Sequence, residues 1–72
     1  MYQIIGQDFC DYCKTAQTVL TQNNQEFRYR KLNKYLLRFF YRRGYTTVPQ
    51  IWHNGEYIGG CKELISYLEE NK

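Results

Sequence analysis

Two cysteines separated by two residues stand where a short apolar segment gives way to a helical pattern. They are Cys10 and Cys13, in the run Cys-Asp-Tyr-Cys. Thiols at this spacing can close into a disulfide within one helical turn, and the first thiol then lies at the helix N-terminus. Unpaired N–H groups and the positive end of the helix dipole stabilise its thiolate there. Because the thiolate is the form that attacks a disulfide, the motif predicts a dithiol redox site.

Hydrophobic periodicity predicts seven short elements around this motif, in the order βαβαββα. Asn33 is placed to cap the second helix, and Gly44 to end it. The pair Asn54-Gly55 predicts a tight hairpin turn. The predicted strands are residues 2–5, 27–30, 48–53 and 56–58, and the predicted helices are residues 11–22, 34–43 and 61–70.

The apolar positions of these elements predict the core. In the second helix they are Leu36, Leu37 and Phe40, and in the last helix they are Leu64, Ile65 and Leu68. Trp52 is also expected in the core. Tyr45 is interpreted as a surface tyrosine, and His53 as a solvent-facing residue of the hairpin, distant from Cys10.

Chain length and cysteine count limit the kind of protein. Seventy-two residues make a single small domain, 1–72, and a chain of this size buries only roughly 60% of its unfolded surface. The chain has three cysteines, two of which form the closely spaced pair. This count fits a catalytic dithiol in a reducing compartment better than a disulfide scaffold. The start of the chain does not resemble a signal peptide, and no segment approaches the ~20 apolar residues that span a membrane. A cytoplasmic protein is therefore expected.

The chain has a net charge of +3, and the excess of positive charge comes largely from basic residues in its middle third. Two interpretations remain open for this run: a solvated face, or a surface that attracts anionic thiols or an acidic partner protein. Nucleic-acid binding is disfavoured because no recognition motif accompanies the charge. The residues are Arg28, Arg30, Lys31, Lys34, Arg38, Arg42 and Arg43.

Pro49 is unusual inside a predicted strand, since proline removes a donor from the hydrogen-bond ladder. One interpretation is a plain edge or turn proline. The other is a cis-proline, which would leave the backbone of Val48 free to pair with an extended peptide.

Four separated features together resemble the glutaredoxin family. They are the pair Cys10 and Cys13, the segment Thr-Val-Pro-Gln-Ile at 47–51, the segment Gly-Gly-Cys at 59–61 and the βαβαββα order. The resemblance implies an α/β, thioredoxin-like fold in which three helices flank a four-stranded mixed sheet. It also implies a cis-proline at Pro49, beside the thiols.

The resemblance further implies glutathione-dependent thiol–disulfide exchange. Cys10 would attack the substrate disulfide and Cys13 would resolve the mixed disulfide, with glutathione as co-substrate and neither metal nor other cofactor. Glutathione would lie along the backbone of Val48, with its γ-glutamyl carboxylate at the N-terminus of the last helix. The implied glutathione-binding residues are Gln7, Tyr12, Thr47, Val48, Pro49, Gly60, Cys61 and Lys62.

Three residues depart from the usual pattern of the family. Asp11 replaces a proline and disfavours the charged sulfur beside it, an effect that Lys14 would offset in part. Gln7 replaces the commoner lysine, so one positive charge that would contact glutathione is lost. Arg42 or Arg43 would supply that charge from the second helix. Lys62 stands where many members have an aspartate. These changes bear on glutathione affinity, and they keep open a glutaredoxin-like redoxin that thioredoxin reductase reduces.

The resemblance also suggests partners and alternatives. It implies a monomer acting on disulfide-containing clients, with ribonucleotide reductase as a plausible one, and with neither nucleic acid nor membrane as a partner. The alternatives of another class are an iron–sulfur cluster carrier and a non-catalytic binding module. A zinc site would need four ligands and would have to recruit Cys61 and His53. Cys61 is interpreted as a small packed residue and not as a third redox centre.

Overall fold

A computed structural model describes residues 1–70 and contains the seven predicted elements in the predicted order. The four strands form one mixed sheet in the order β2-β1-β3-β4. Strand β1 pairs in parallel with β2 and antiparallel with β3, which in turn pairs antiparallel with β4. The predicted α/β architecture is confirmed. The elements are β1 Tyr2–Gly6, α1 Asp11–Gln22, β2 Phe27–Lys31, α2 Lys34–Arg43, β3 Gln50–His53, β4 Glu56–Gly59 and α3 Cys61–Glu70.

Strand β3 is shorter than predicted. It begins at Gln50, whose partner on β1 is Ile5, and not at Val48. Pro49 has no N–H to donate to the ladder, so the sheet starts only after it. Val48 is consequently left outside the sheet, in the loop that approaches the cysteine pair.

The local signals for turns and caps are confirmed. The side-chain oxygen of Asn33 accepts hydrogen bonds from the backbone N–H groups of Tyr35 and Leu36, at 3.0 and 2.9 Å, and thereby caps α2. Gly44 ends that helix with a φ of 75°. Asn54 and Gly55 have φ values of 51° and 86°, as a two-residue hairpin turn between β3 and β4 requires.

The main core lies between one face of the sheet and helices α1 and α3. Leu64 on α3 is fully buried in it, and Leu68, four residues later on the same helical face, packs against it. Ile65 was predicted to face inward but is exposed, because one residue along a helix turns the side chain by about 100°. The buried cluster consists of Tyr2, Ile4, Ala16, Leu20, Ile51, Cys61 and Leu64.

The opposite face of the sheet is covered by α2 through aromatic rings. Phe40 is buried as predicted, whereas Trp52 is half-buried at the edge of this cluster. The prediction for Tyr45 was wrong: it is half-buried, with its ring 5.3 Å from that of Phe40 and 5.2 Å from that of Tyr57. Leu37 was predicted to face inward but is 57% exposed, because it lies one position beyond the buried face that Leu36 and Phe40 share.

The prediction of a solvent-facing His53 was also wrong. His53 is paired with Tyr2 across the β1–β3 ladder, and their rings stack at 4.0 Å. Its Nδ1 atom lies 2.7 Å from the hydroxyl of Tyr67. The antiparallel register therefore holds this imidazole inside an aromatic group at the end of β3 that adjoins the hairpin turn.

No helix within residues 1–70 combines the length and the apolar character that crossing a bilayer requires.

Candidate redox site and adjoining grooves

The two cysteines lie at the N-terminus of α1 and have different exposures. Cys10 is the N-cap residue, and its backbone is extended, with φ −116° and ψ 106°. Cys13 lies in the first turn and is 1% exposed, whereas Cys10 is half-buried. Their Cα atoms are 5.2 Å apart and the disulfide between them is formed. A substrate can therefore reach Cys10, while Cys13 is covered.

The backbone around Cys10 stabilises a charged sulfur. The N–H of Cys13 donates a hydrogen bond to the Sγ of Cys10 at 3.1 Å, in the manner of a helix cap. In the reduced protein this hydrogen bond and the helix dipole both favour the thiolate of Cys10. Cys10 is therefore suited to be the attacking thiol and Cys13 the resolving one.

Gly6, at the end of β1, is a functional position that the sequence reasoning missed. A Cβ atom placed there would lie 2.7 Å from the Sγ of Cys13 and 2.6 Å from the hydroxyl oxygen of Tyr29. Both separations are below van der Waals contact. Because two bulky groups converge on this backbone, only glycine leaves room for Cys13. The signal in the sequence was a glycine directly after an apolar strand, which also suits an ordinary loop.

The variant Gly6→Ala is expected to lower the free energy of unfolding by about 1–3 kcal/mol, because the added methyl must displace Cys13 or Tyr29. Urea unfolding of the oxidised protein measures this change. The displacement should also shift the equilibrium between the Cys10–Cys13 dithiol and glutathione disulfide.

The matched control for that variant is Gly44→Ala. A Cβ at Gly44 meets nothing within 4 Å, so its effect comes only from the φ of 75°. Gly44→Ala should lower stability and leave the dithiol equilibrium unchanged. An unchanged equilibrium in Gly6→Ala as well would contradict the assigned role of Gly6.

Phe9 is a second position that the sequence reasoning did not single out. It directly precedes Cys10, has a φ of 58°, and its ring is 99% exposed. A bulky residue rarely adopts a positive φ. Tyr12 is 70% exposed on the other side of Cys10. The attacking sulfur is thus flanked in sequence by two solvent-exposed aromatic rings.

A groove of about 610 Å³ adjoins the cysteine pair, and we call it the active-site groove. It contains seven of the eight residues that the resemblance assigned to glutathione. The carbonyl oxygen of Val48 lies 3.9 Å from the Sγ of Cys10. The Val48–Pro49 peptide bond is cis, which was one of the two interpretations that the sequence left open. The lining residues are Tyr12, Thr15, Thr47, Val48, Pro49, Gly60, Cys61, Lys62, Glu63, Ile65 and Ser66.

The eighth residue, Gln7, borders a second groove, which we call the α2 groove. Thr47 and Val48 line both grooves and separate them. Neither Arg42 nor Arg43 lines the α2 groove. The residues that line it are Gln7, Leu32, Leu37, Phe40, Tyr41, Tyr45, Thr46, Thr47 and Val48.

The two arginines suggested as substitutes for a lysine at position 7 lie elsewhere on α2. The guanidinium of Arg43 lies 5.3 Å from the centre of the Phe39 ring. Arg42 borders a shallow depression with Leu37, Arg38 and Tyr41. Neither arginine is therefore among the residues that line the groove beside Gln7.

Glu63 occupies the N-terminus of α3, at the edge of the active-site groove. Its Oε1 accepts a hydrogen bond from the N–H of Gly60 at 2.9 Å. This is the reach-back half of a capping box, in which the third helical residue satisfies the N-cap N–H. A carboxylate of the protein therefore already engages one of the N–H groups that the resemblance assigned to the glutathione carboxylate.

Cys61 is packed into the core, as predicted. It is a member of the buried cluster, although it also borders the active-site groove. Burial raises the pKa of the Cys61 thiol, and the nearby carboxylate of Glu63 raises it further. A thiol that resists ionisation is a poor nucleophile, which fits a packing role.

Within residues 1–70, no group of three or more His, Cys, Asp or Glu side chains is arranged to hold a metal ion. The zinc alternative required Cys61 and His53 beside the cysteine pair. Cys61 is buried in the core, and His53 is hydrogen-bonded to Tyr67. These two side chains are therefore not gathered around the cysteine pair as zinc ligands.

The fold and the site together define a class of protein. A cysteine pair at the start of the first helix, a cis-proline beside it and a mixed sheet between helices are features of thioredoxin-like thiol–disulfide oxidoreductases. The sequence model of the Glutaredoxin family matches residues 1–58, which is most of the chain. This chain belongs to the glutaredoxin family.

Individual relatives agree with that assignment. Glutaredoxin 3 of Escherichia coli is 31% identical over 67 residues, which cover 89% of this chain and 81% of the relative. The structure of glutaredoxin 1 from Francisella tularensis superposes with a TM-score of 0.83 at 28% identity, covering 99% of this chain and 96% of the other. A buckwheat glutaredoxin, solved as a glutathione complex, shares the fold with a TM-score of 0.83 at 19% identity, covering 99% of this chain and 70% of that one.

Proposed function

We propose that this protein is a glutathione-dependent dithiol glutaredoxin that reduces protein disulfides and glutathione mixed disulfides. The observation that carries the proposal is the active-site groove, which extends from Val48, the neighbour of the Cys10 Sγ, to the N-terminus of α3. A groove of this size, next to the reactive sulfur, suits a tripeptide thiol. The buckwheat glutaredoxin of the same fold was solved with glutathione.

The proposed reaction proceeds in three stages, the last of which comprises two exchanges. The thiolate of Cys10 attacks a substrate disulfide, a mixed disulfide forms, and the departing thiolate takes a proton from water. Cys13 then attacks the Sγ of Cys10, releases the reduced substrate and closes the disulfide seen in the structure. Two glutathione molecules reduce that disulfide and leave as glutathione disulfide. When the substrate is itself a glutathione mixed disulfide, Cys10 and a second glutathione are sufficient.

The groove residues have distinct proposed roles. Val48 lies next to Cys10 and, being outside the sheet, can offer its backbone to the tripeptide as an added strand. The N–H groups of Cys61 and Lys62, at the start of α3, would hold the γ-glutamyl carboxylate. Tyr12 would form a wall of the groove, and Gln7, beyond Val48, would reach the glycine carboxylate.

The proposed physiological setting follows from the same chemistry. A dithiol reduced by glutathione works where the glutathione pool is kept reduced, which is the cytoplasm. We propose that the protein acts there as a monomer on disulfide-bearing clients. Ribonucleotide reductase is the client that the family resemblance suggests.

The decisive experiment compares two sources of electrons. Turnover of a small glutathione mixed disulfide is measured with glutathione and glutathione reductase, and in parallel with thioredoxin reductase. We expect turnover with glutathione alone. Turnover only with thioredoxin reductase would overturn the glutathione dependence and retain the dithiol chemistry.

The variant Glu63→Gln is expected to lower the KM for a glutathione mixed disulfide about two- to fivefold, with kcat unchanged. The amide oxygen can still accept the hydrogen bond from Gly60, whereas the negative charge that opposes an incoming carboxylate is removed. Steady-state kinetics measures the effect. The matched control is Glu69→Gln, which removes the same charge from an exposed position of α3 outside the groove. Equal KM values for the two variants would refute this role of Glu63.

A further inference from the structure

The α2 groove extends from the neighbourhood of the reactive sulfur to an exposed face of α2. It starts at Val48, whose carbonyl oxygen lies 3.9 Å from the Sγ of Cys10, and it passes over Leu37 and Tyr41. Leu37 is 57% exposed and Tyr41 is 87% exposed. Large apolar and aromatic side chains that remain open to solvent along a groove are a frequent feature of protein-binding surfaces.

The far end of the α2 groove adjoins a positively charged surface. Arg38 and Arg42 border a depression that they share with Leu37 and Tyr41, so the apolar and the basic surfaces are continuous. Helix α2 contains no acidic residue. The one ion pair recorded within residues 1–70 joins Lys31 to Asp8, so neither arginine is neutralised by a carboxylate of that part of the chain.

We propose that the α2 groove and its arginines are the docking surface for an extended, acidic segment of a client protein whose disulfide is presented to Cys10. The proposal rests on the dithiol exchange described above. Apolar side chains of the segment contact Leu37 and Tyr41, and its carboxylates lie against Arg38 and Arg42. Glutathione lies along the active-site groove and would reach the α2 groove only at Gln7, so the client segment lies along Leu37 and Tyr41.

Two features favour an acidic protein segment over a nucleic acid. The groove is lined mainly by apolar and hydroxyl side chains, which suit an apolar anchor rather than a phosphate backbone. The guanidinium groups stand beyond that apolar stretch and form planar, bidentate contacts with carboxylates.

The client reaction needs no component beyond the dithiol. The Cys10 thiolate forms a disulfide with one client sulfur, and the other client sulfur leaves as a thiolate that is protonated by water. Cys13 then forms the disulfide with Cys10 and releases the first sulfur. The client gains two electrons, and the Cys10–Cys13 pair loses them.

The test uses three disulfide-cyclised peptides. They differ only in the short run of residues after the second cysteine, which consists of glutamates in one peptide, glutamines in another and lysines in the third. Pre-reduced protein reacts with each peptide in a single turnover without glutathione. The expected order of second-order rates is glutamate, then glutamine, then lysine. The advantage of the glutamate peptide should decline as salt is added. Equal rates for the three peptides would overturn the proposal.

The variant Arg38→Glu locates the effect on α2. It should lower the rate with the glutamate peptide about tenfold and leave the turnover of a small glutathione mixed disulfide unchanged. Arg28→Glu changes the net charge by the same amount at an exposed position of β2 and should have a much smaller effect. Equal losses in both variants would mean that only net charge matters, and the docking surface would be rejected.

Two further readouts separate the alternatives. A single-stranded oligonucleotide that binds the protein more tightly than the glutamate peptide, and loses this binding in Arg38→Glu, would reassign the surface to nucleic acid. Failure of glutathione turnover, with the peptide preference intact, would reject the proposed function and retain the docking surface. Turnover with glutathione, without any preference for the glutamate peptide, would reject only the docking surface.

Discussion

Replacement of Cys10 by serine is expected to abolish disulfide reduction, with a loss on the order of a thousandfold or more. Cys10 is the cysteine of the pair that a substrate can reach, since Cys13 is almost fully buried. A serine hydroxyl does not ionise near neutral pH, so the N–H of Cys13 and the helix dipole have no anion to stabilise. The loss should therefore extend to protein disulfides, peptide disulfides and glutathione mixed disulfides alike.

The measurement is turnover of each substrate by Cys10→Ser beside the parent protein in its reduced form. Urea unfolding of both reduced proteins serves as the control for folding, because neither then contains a disulfide. Retained turnover of any of the three substrates would mean that another group, and not Cys10, is the nucleophile.

Replacement of Cys13 by serine is expected to separate the two reactions. Reduction of a glutathione mixed disulfide needs only Cys10 and a second glutathione, so it should continue within about threefold of the parent rate. Reduction of an intramolecular protein disulfide needs Cys13 to release the trapped client, so it should fall on the order of a hundredfold or more. The buried position of Cys13 next to the Sγ of Cys10 is what makes release intramolecular.

The stalled intermediate provides a second readout for Cys13→Ser. With a disulfide peptide, the variant should accumulate a covalent adduct at Cys10 that mass spectrometry detects and that glutathione removes. Equal loss of both reactions would contradict the assignment of an attacking and a resolving thiol. Absence of the adduct would contradict it independently.

Much of the fold could be predicted because its signals are local. A helix cap such as Asn33, a left-handed glycine such as Gly44 and a hairpin turn at Asn54 are determined by contacts within a few residues. Strand and helix patterns repeat with periods of two and 3.6 residues, so element order follows from spacing alone. The start of β3 was misplaced because an edge strand can contain a proline, and only the pairing of Gln50 with Ile5 shows that Pro49 lies outside the ladder.

Predictions for single side chains failed where packing between distant segments determines whether the side chain is buried or exposed. Tyr45 follows the glycine that ends α2 and His53 precedes the hairpin turn, yet rings of residues distant in sequence pack against both and leave them half-buried. Ile65 and Leu37 are apolar but lie beside, and not on, the covered face of their helices. Hydrophobicity alone does not distinguish a core residue from one that lines a groove.

The sequence by itself determined the cysteine pair, its place at the start of a helix and the order of the elements. These properties depend on residue spacing and on backbone preferences that act over a few residues. Only the tertiary structure showed that Gly6 makes room for Cys13, that Glu63 binds the N–H of Gly60, and that Val48 separates two grooves beside Cys10. Each of these depends on how the packed elements bring atoms within a few ångströms of one another, which spacing along the chain does not specify.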